Sequence, residues 1–136
     1  MAVNPTNILV VAAAIMDGMG RVLMQRRRPG AQHGGLWEFP GGKVEAGESP
    51  ESCLIRELSE ELGIEVTEAC LAPFVFASHA YDDFHLLMPL YVCRRWKGQV
   101  VGAEGQALAW VRPQKLKDYP MPPADIPLIP HLVDLL

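Results

Sequence analysis

Three glutamates, Glu57, Glu60 and Glu61, stand at i, i+3 and i+4 in a stretch whose local signals predict a helix. Like charges at these spacings cost roughly 0.2–0.5 kcal/mol per pair even when exposed, and more as water is withdrawn. A solvated acidic face is a sufficient account of an isolated E-x-x-E-E pattern. A row of carboxylates beside a cleft calls instead for a cation. All-oxygen anionic ligation favours a hard divalent ion, Mg²⁺ or its usual substitute Mn²⁺. Arg56 can pair with Glu60 at i+4, but one guanidinium does not neutralise three carboxylates.

The helix that must carry them runs over residues 50–62. Ser49 is a good N-cap, Pro50 suits the first helical position, and Gly63 is the left-handed residue expected just past the end. At 100° per residue, Leu54, Ile55, Leu58 and Leu62 form the buried stripe. The glutamates fall in the adjoining arc, and Ser52, Arg56 and Ser59 face outward. The acids therefore lie on the border between core and solvent, where a cleft wall would be.

Ahead of the helix stands Trp37-Glu38-Phe39-Pro40-Gly41-Gly42-Lys43, an apolar strand running into two glycines and a lysine. Glycines let the backbone approach a ligand closely, and Lys43 adds a positive charge. Gly-Gly-Lys alone reads as a turn. Joined to Glu48, Arg56, Glu57, Glu60, Glu61 and Gly63, with Leu58 and Ile64 at bulky aliphatic positions (U), it matches G-x5-E-x7-R-E-U-x-E-E-x-G-U. In this signature the chain resembles the Nudix hydrolases. It also resembles their MutT branch over nearly its whole length: an apolar first strand near residues 8–15, Gln25-Arg26-Arg27-Arg28, the segment from Leu36 to Lys43, Glu104-Gly105-Gln106, and Pro122-Pro123-Ala124-Asp125.

The resemblance implies an α/β fold, a mixed sheet sandwiched between helices. It also implies a Mg²⁺-dependent nucleoside triphosphate pyrophosphohydrolase that releases a monophosphate and pyrophosphate. By analogy, Glu57, Glu60 and Glu61 hold the metal with the Gly41 carbonyl, and Glu104 is the additional carboxylate from a distant loop. Glu48 pairs with Arg56, which orients the ligands. Glu57 is the base or orienter of the attacking water, with Glu104 as competitor. Arg27 contacts phosphate, unless the run of three arginines is only a solvated strand end.

The base is left open. Where bacterial MutT enzymes end the Pro-Pro-Ala segment in asparagine, this chain has Asp125, which accepts only, unless protonated. A related branch acting on CTP and oxidised pyrimidine nucleotides shares the Pro-Ala-Asp-Ile-Pro-Leu stretch. Asp125 could equally be the N-cap of a final helix. Phe39, Phe84, His85 and Met121 could sandwich a base or simply pack the core. The readings are therefore a hydrolase of 8-oxo-dGTP and similar oxidised nucleotides, a hydrolase of CTP or 5-hydroxy-pyrimidine nucleotides, and a nucleotide sensor without turnover. The intact set of carboxylates argues against the sensor.

At 136 residues with 49% hydrophobic content, the chain is expected to form one domain, residues 1–136. A net charge of -4 argues against a protein that coats nucleic acid. Cys53, Cys70 and Cys93 are odd in number and lack C-x-x-C spacing, so they are read as packing residues in a reducing cytoplasm. Residues 1–6 carry no basic leader, and the longest apolar run, residues 8–16, is too short to span a bilayer. A soluble monomer or homodimer is expected.

The coarse map places a strand at 8–16, a hairpin turn at 17–20 and its partner at 21–26, then a loop at 28–36. After the helix it places an apolar strand at 70–77 interrupted at Pro73, strands at 84–96 and 107–111, a helical turn at 113–119, and a last helix at 126–136.

Overall fold

The computed structural model describes residues 6–30 and 34–135; the middle of the expected 28–36 loop and Leu136 lie outside them. Strands β1 (Thr6–Ile15), β2 (Val22–Arg26), β3 (Trp37–Glu38) and β4 (Gly41–Lys43) precede helix α1 (Pro50–Leu62). Strands β5 (Leu71–Ala80), β6 (Phe84–Cys93) and β7 (Ala107–Val111) follow, and helix α2 (Ile129–Leu135) closes the described chain. Short 3₁₀ turns lie at Glu68–Cys70, Pro113–Asp118 and Ile126–Leu128.

β1 is the axis of the molecule. It pairs antiparallel with β4, Ala12 opposite Gly41, and parallel with β6, Ala12 opposite Leu90, in a mixed sheet of order β4-β1-β6-β5. With both edges hydrogen-bonded, β1 reads as a continuous apolar run. This also corrects the hairpin expected from the turn at 17–20. The turn forms, with Asp17 accepting from the amides of Met19 and Arg21 at 2.9 Å, but β2 meets the end of β1 only through a Met16–Val22 bridge. Both edges of β1 being taken, β2 joins a second, antiparallel sheet of order β3-β2-β7.

The two faces of β1 serve different cores. Val11, Ala13 and Ile15 pack with Leu54, Leu58 and Leu62 of α1, whereas Ala12 and Ala14 pack with Phe39, Met88, Leu90, Leu128 and Leu132. The mixed sheet is thus flanked by α1 on one side and by the 3₁₀ turns at Pro113–Asp118 and Ile126–Leu128 with α2 on the other.

α1 is capped as expected: Ser49 Oγ accepts from the Ser52 amide at 3.1 Å, and Gly63, at φ 68°, donates to the Ser59 carbonyl. Its buried face differs. Cys53, Leu54, Leu58, Glu61 and Leu62 are buried, while Ile55 is only partly so. The helix is rotated toward its glutamates, which carries Glu61 into the interior.

β5 runs on to Ala80 past a bulge at Pro73–Val75. β6 ends at Cys93 rather than Trp96, because Cys93 lies opposite Leu71, where β5 begins. The final helix starts as a 3₁₀ turn at Ile126–Leu128. Among the described residues no helix is long and apolar enough to cross a membrane.

Candidate active site

The carboxylates of α1 are organised by Arg56. Its Nε and Nη2 donate to the two oxygens of Glu48 at 2.9 and 3.0 Å, and its Nη1 donates to Glu57 at 3.0 Å and Glu60 at 3.4 Å. Arg56, expected to face outward, thus touches three acids and ties the loop before the helix to the helix itself. The hydrogen bonds from Arg56 hold the Glu48 carboxyl down at about 2. The Arg56 guanidinium is in turn held in its charged form, first by Glu48.

One cation still leaves an excess of negative charge. Glu57 is pushed up by burial, and the charges of Glu60 and Glu104 add to this against the pull of Arg56. Glu61, 9% exposed, is pushed up to about 8 by burial and by the charges of Glu57, Glu38 and Glu104, although Gln25 opposes the shift. Glu60 and Glu104 are exposed.

The two glycines admit this crowding. A Cβ on Gly41 would run into the Val11 carbonyl, and one on Gly42 would strike the Glu57 carboxylate. The bare Gly41 amide instead donates to Glu61 Oε2 at 3.2 Å.

Among the described residues, no three carboxylate, imidazole or thiol groups already converge on a metal-holding point. Arg56 instead bridges Glu57 and Glu60, while Gln25 and the Gly41 amide occupy Glu61. The donor chemistry nevertheless fits a hard divalent cation: the acids are all-oxygen donors, and two are pushed toward protonation by burial first and by neighbouring carboxylates second, both of which such an ion offsets.

Beside the β4 edge opens a cleft of about 280 Å³, walled by Ile8, Val10, Phe39, Phe84, Leu86 and Met88 and carrying Arg27, Glu38, Lys43, Tyr81 and Asp125. Arg27 donates from Nε to Glu38 at 2.7 Å and also borders a second hollow with Gln25, Glu61, Glu104 and Gln106. It thus lies between the cleft and the acids. Lys43 is exposed at the rim.

Asp125 is 6% exposed. Burial pushes its carboxyl up to about 7, and the charge of Glu38 adds to this, while the Phe39 amide and Arg27 pull the other way. It stands at the N-cap position of the Ile126–Leu128 turn but does not cap it: the side chain makes no capping bond, and its backbone is already helical. Phe39 is both core and cleft wall, and Phe84 lines the cleft. His85 is bonded to Ser78 at 2.6 Å, and Met121 is buried in the core; neither lines the cleft. Cys53 and Cys93 are buried and Cys70 is partly so, all three as free thiols.

Three residues escaped the sequence reading: Glu38, Gln25 and Gln106. Gln25 Nε2 donates to Glu61 Oε1 at 2.9 Å, and Gln106 Nε2 donates to Gln25 Oε1 at 3.1 Å. The available signal was a polar Gln25 inside an otherwise apolar strand.

The Arg56 arrangement carries a prediction. Arg56→Ala lowers kcat about 10- to 100-fold, and Arg56→Lys restores little, because an ammonium cannot make the two-pronged contact with Glu48. Glu48 titrates at about 2 in the fold against a usual 4.5, so its stabilisation is present above pH 4.5 and is lost as pH falls toward 2. Thermal unfolding at pH 7, 5 and 3 therefore shows the gap between wild type and Arg56→Ala closing with acid.

A cleft of about 280 Å³ that carries Arg27 and Lys43 and adjoins the carboxylates of α1 through Gly41 and Gly42 defines the class. A family profile described as the NUDIX domain matches residues 11–131, and the chain belongs to the Nudix hydrolase family. Hydrolases of this family generally use a divalent metal. The chain is 40% identical over 124 residues to the CTP pyrophosphohydrolase of Escherichia coli K12, covering 90% of this chain and 89% of that protein. It is 33% identical over 123 residues to the 8-oxo-dGTP diphosphatase of the same organism, covering 90% and 94%. Among solved structures, a MutT from work on Aliivibrio salmonicida and Vibrio cholerae superposes with a TM-score of 0.81 at 36% identity, covering 96% of this chain and all of that one.

Proposed function

We propose that this chain is a Mg²⁺-dependent nucleoside triphosphate pyrophosphohydrolase that releases a nucleoside monophosphate and pyrophosphate, with 8-oxo-dGTP or a similar oxidised nucleotide as its substrate. The observation that carries the reading is the crowding of Glu57, Glu60 and Glu61 on α1, with one Arg56 shared among Glu48, Glu57 and Glu60, beside a cleft of about 280 Å³. Glu57, Glu60, Glu61, Glu104 and the Gly41 carbonyl would hold Mg²⁺, with Mn²⁺ as substitute. When bound, the ion supplies Lewis-acid neutralisation of the phosphoryl oxygens.

The protein's own groups do the rest. Glu57 orients the attacking water and accepts its proton, while Arg56 and Glu48 keep that carboxylate in place. Arg27 and Lys43 bring positive charge to the phosphates, and the apolar walls around Phe39 and Phe84 hold the base away from water. The charge of -4 supports action on free nucleotides rather than on nucleic acid, and the free thiols support a reducing, cytoplasmic setting.

Asp125 decides the base. With its carboxyl near 7, the protonated form donates to a purine O6 and the ionised form accepts from an amino group. The second property, with the 40% identity to a CTP pyrophosphohydrolase, supports CTP or a 5-hydroxy-pyrimidine nucleotide as the second reading. Steady-state release of monophosphate and pyrophosphate from 8-oxo-dGTP, dGTP, CTP and 5-hydroxy-dCTP with Mg²⁺ tests both. The highest kcat/KM on 8-oxo-dGTP is expected; higher values on the pyrimidines overturn the base assignment, and no turnover of any overturns the enzyme.

A further inference from the structure

The last carbonyls of a helix have no partner within the helix and must be satisfied from outside. In α1 the loop before β7 does this. Val101 donates its amide to the Leu62 carbonyl at 3.0 Å, and Ala103 donates to the Glu61 carbonyl at 3.0 Å. The Gln106 carboxamide adds a third bond, from Nε2 to the same Glu61 carbonyl at 2.8 Å. Through its other end, Gln106 Oε1 accepts the amide of Glu104 at 2.9 Å. The loop is tight, since a Cβ on Gly102 would strike the Gln106 carbonyl.

The bonding pattern fixes which way both amides face. The Glu61 carbonyl can only accept and the Glu104 amide can only donate, so Gln106 turns its NH₂ to the first and its oxygen to the second; Gln25 then presents its oxygen to Gln106 and its NH₂ to Glu61 Oε1. Gln106 then spends both NH₂ hydrogens, on Gln25 and on the Glu61 carbonyl, and its oxygen is left for the Glu104 amide. Every donor and acceptor in this chain of bonds is consistent, and it joins Glu61 on α1 to Glu104 on the distant loop.

We infer that Gln106 is a positioning residue: it latches the Glu104 loop to the C-terminal end of α1 and, with Gln25, keeps Glu104 and Glu61 on one hollow, from which both can turn to a cation. This rests on the metal-dependent reading above, in which both acids hold the ion. A group that orients metal ligands is worth about 10- to 100-fold in affinity or activity.

The test is a double-mutant cycle of Gln106→Ala with Glu104→Gln, read by Mn²⁺ binding in electron paramagnetic resonance titrations, by kcat and KM, and by amide exchange in metal-free protein. Gln106→Ala is expected to weaken Mn²⁺ binding about 10- to 100-fold and to lower kcat similarly with KM within about twofold. The amides of Ala103 and Glu104 should exchange at least about tenfold faster. In the Glu104→Gln background the same change should add less than about twofold, because residues acting as one unit are not additive. Losses that multiply across the cycle, or a lowered melting temperature with unchanged Mn²⁺ affinity, overturn the proposal. An unaltered Mn²⁺ affinity in Glu104→Gln alone overturns the metal reading of Glu104 instead, and this inference with it. Should Gln106→Ala fail to fold, Gln106→Glu keeps the acceptor for Glu104 and removes both donors, and the same outcomes decide.

Discussion

Glu57→Gln is expected to lower kcat about 10²- to 10⁴-fold while leaving the fold intact, the loss typical of a removed general base. Glutamine keeps the volume that packs against Gly42 and keeps an oxygen for Arg56 at the position now 3.0 Å from Nη1. It removes the ability to take a proton and one charge from the cluster. The stability effect runs the other way. Burial and neighbouring acids raise the Glu57 carboxyl, so folding loses stability as pH rises through its native value, and the neutral variant is spared that loss. Near pH 8, Glu57→Gln should therefore melt higher than wild type in metal-free buffer, the usual relation between a strained site and stability. Initial rates with Mg²⁺ and thermal unfolding without it check the two halves. A variant keeping more than a tenth of wild-type kcat would transfer the role to Glu104, whose own Gln variant is the matched control.

Asp125→Asn should re-rank the substrates. A buried carboxyl with a value of about 7 is a donor on the acid side of neutrality and an acceptor only on the alkaline side. For wild type, the ratio of kcat/KM on 8-oxo-dGTP to that on CTP should fall as pH rises from 6 to 8.5. In Asp125→Asn the ratio should be flat across that range and changed by on the order of 10²- to 10⁴-fold at pH 8.5, the effect of one buried hydrogen bond made or lost in a recognition pocket. Stability follows the same group. Its value rises from the usual 3.8 to about 7 on folding, so the favourable contribution is complete below pH 3.8 and is lost as pH climbs through 7. Above pH 8 the asparagine variant should be more stable by up to roughly 4 kcal/mol, read from urea unfolding at pH 5 and 8. A pH-independent substrate ratio in wild type would remove Asp125 from base recognition.

What could be read from the sequence was whatever lies close along the chain. Ser49 and Pro50 open α1 and Gly63 closes it, each within a residue of the helix end it sets, and Glu48 reaches Arg56 across eight positions. The partners of β1 were not legible, because β4 and β6 come from distant segments and only their occupation of both edges excludes a β1–β2 hairpin. The rotation of α1 escaped for a related reason. Periodicity marks where apolar residues cluster, whereas β1 and β4 decide how far the helix turns, and they turned it until Glu61 was inside. Gln25, Glu61 and Gln106 are joined across 36 and 81 positions, with no repeat to announce the link. Asp125 could be named from its motif, but its burial depends on Phe39 and the cleft floor.

The mixed sheet separates two jobs. Alternate residues of β1 send Ala12 and Ala14 toward the cleft side, with Phe39 and Met88, and Val11, Ala13 and Ile15 toward the layer that carries α1. Side chains proposed to touch the base therefore belong mainly to one interior and those that back the acids to the other, meeting around the short β4 edge and at Arg27 and Glu38. Substitutions in separate interiors combine independently. Retargeting such an enzyme to another nucleobase can accordingly proceed by repacking one layer while turnover, governed from beneath, is inherited unchanged.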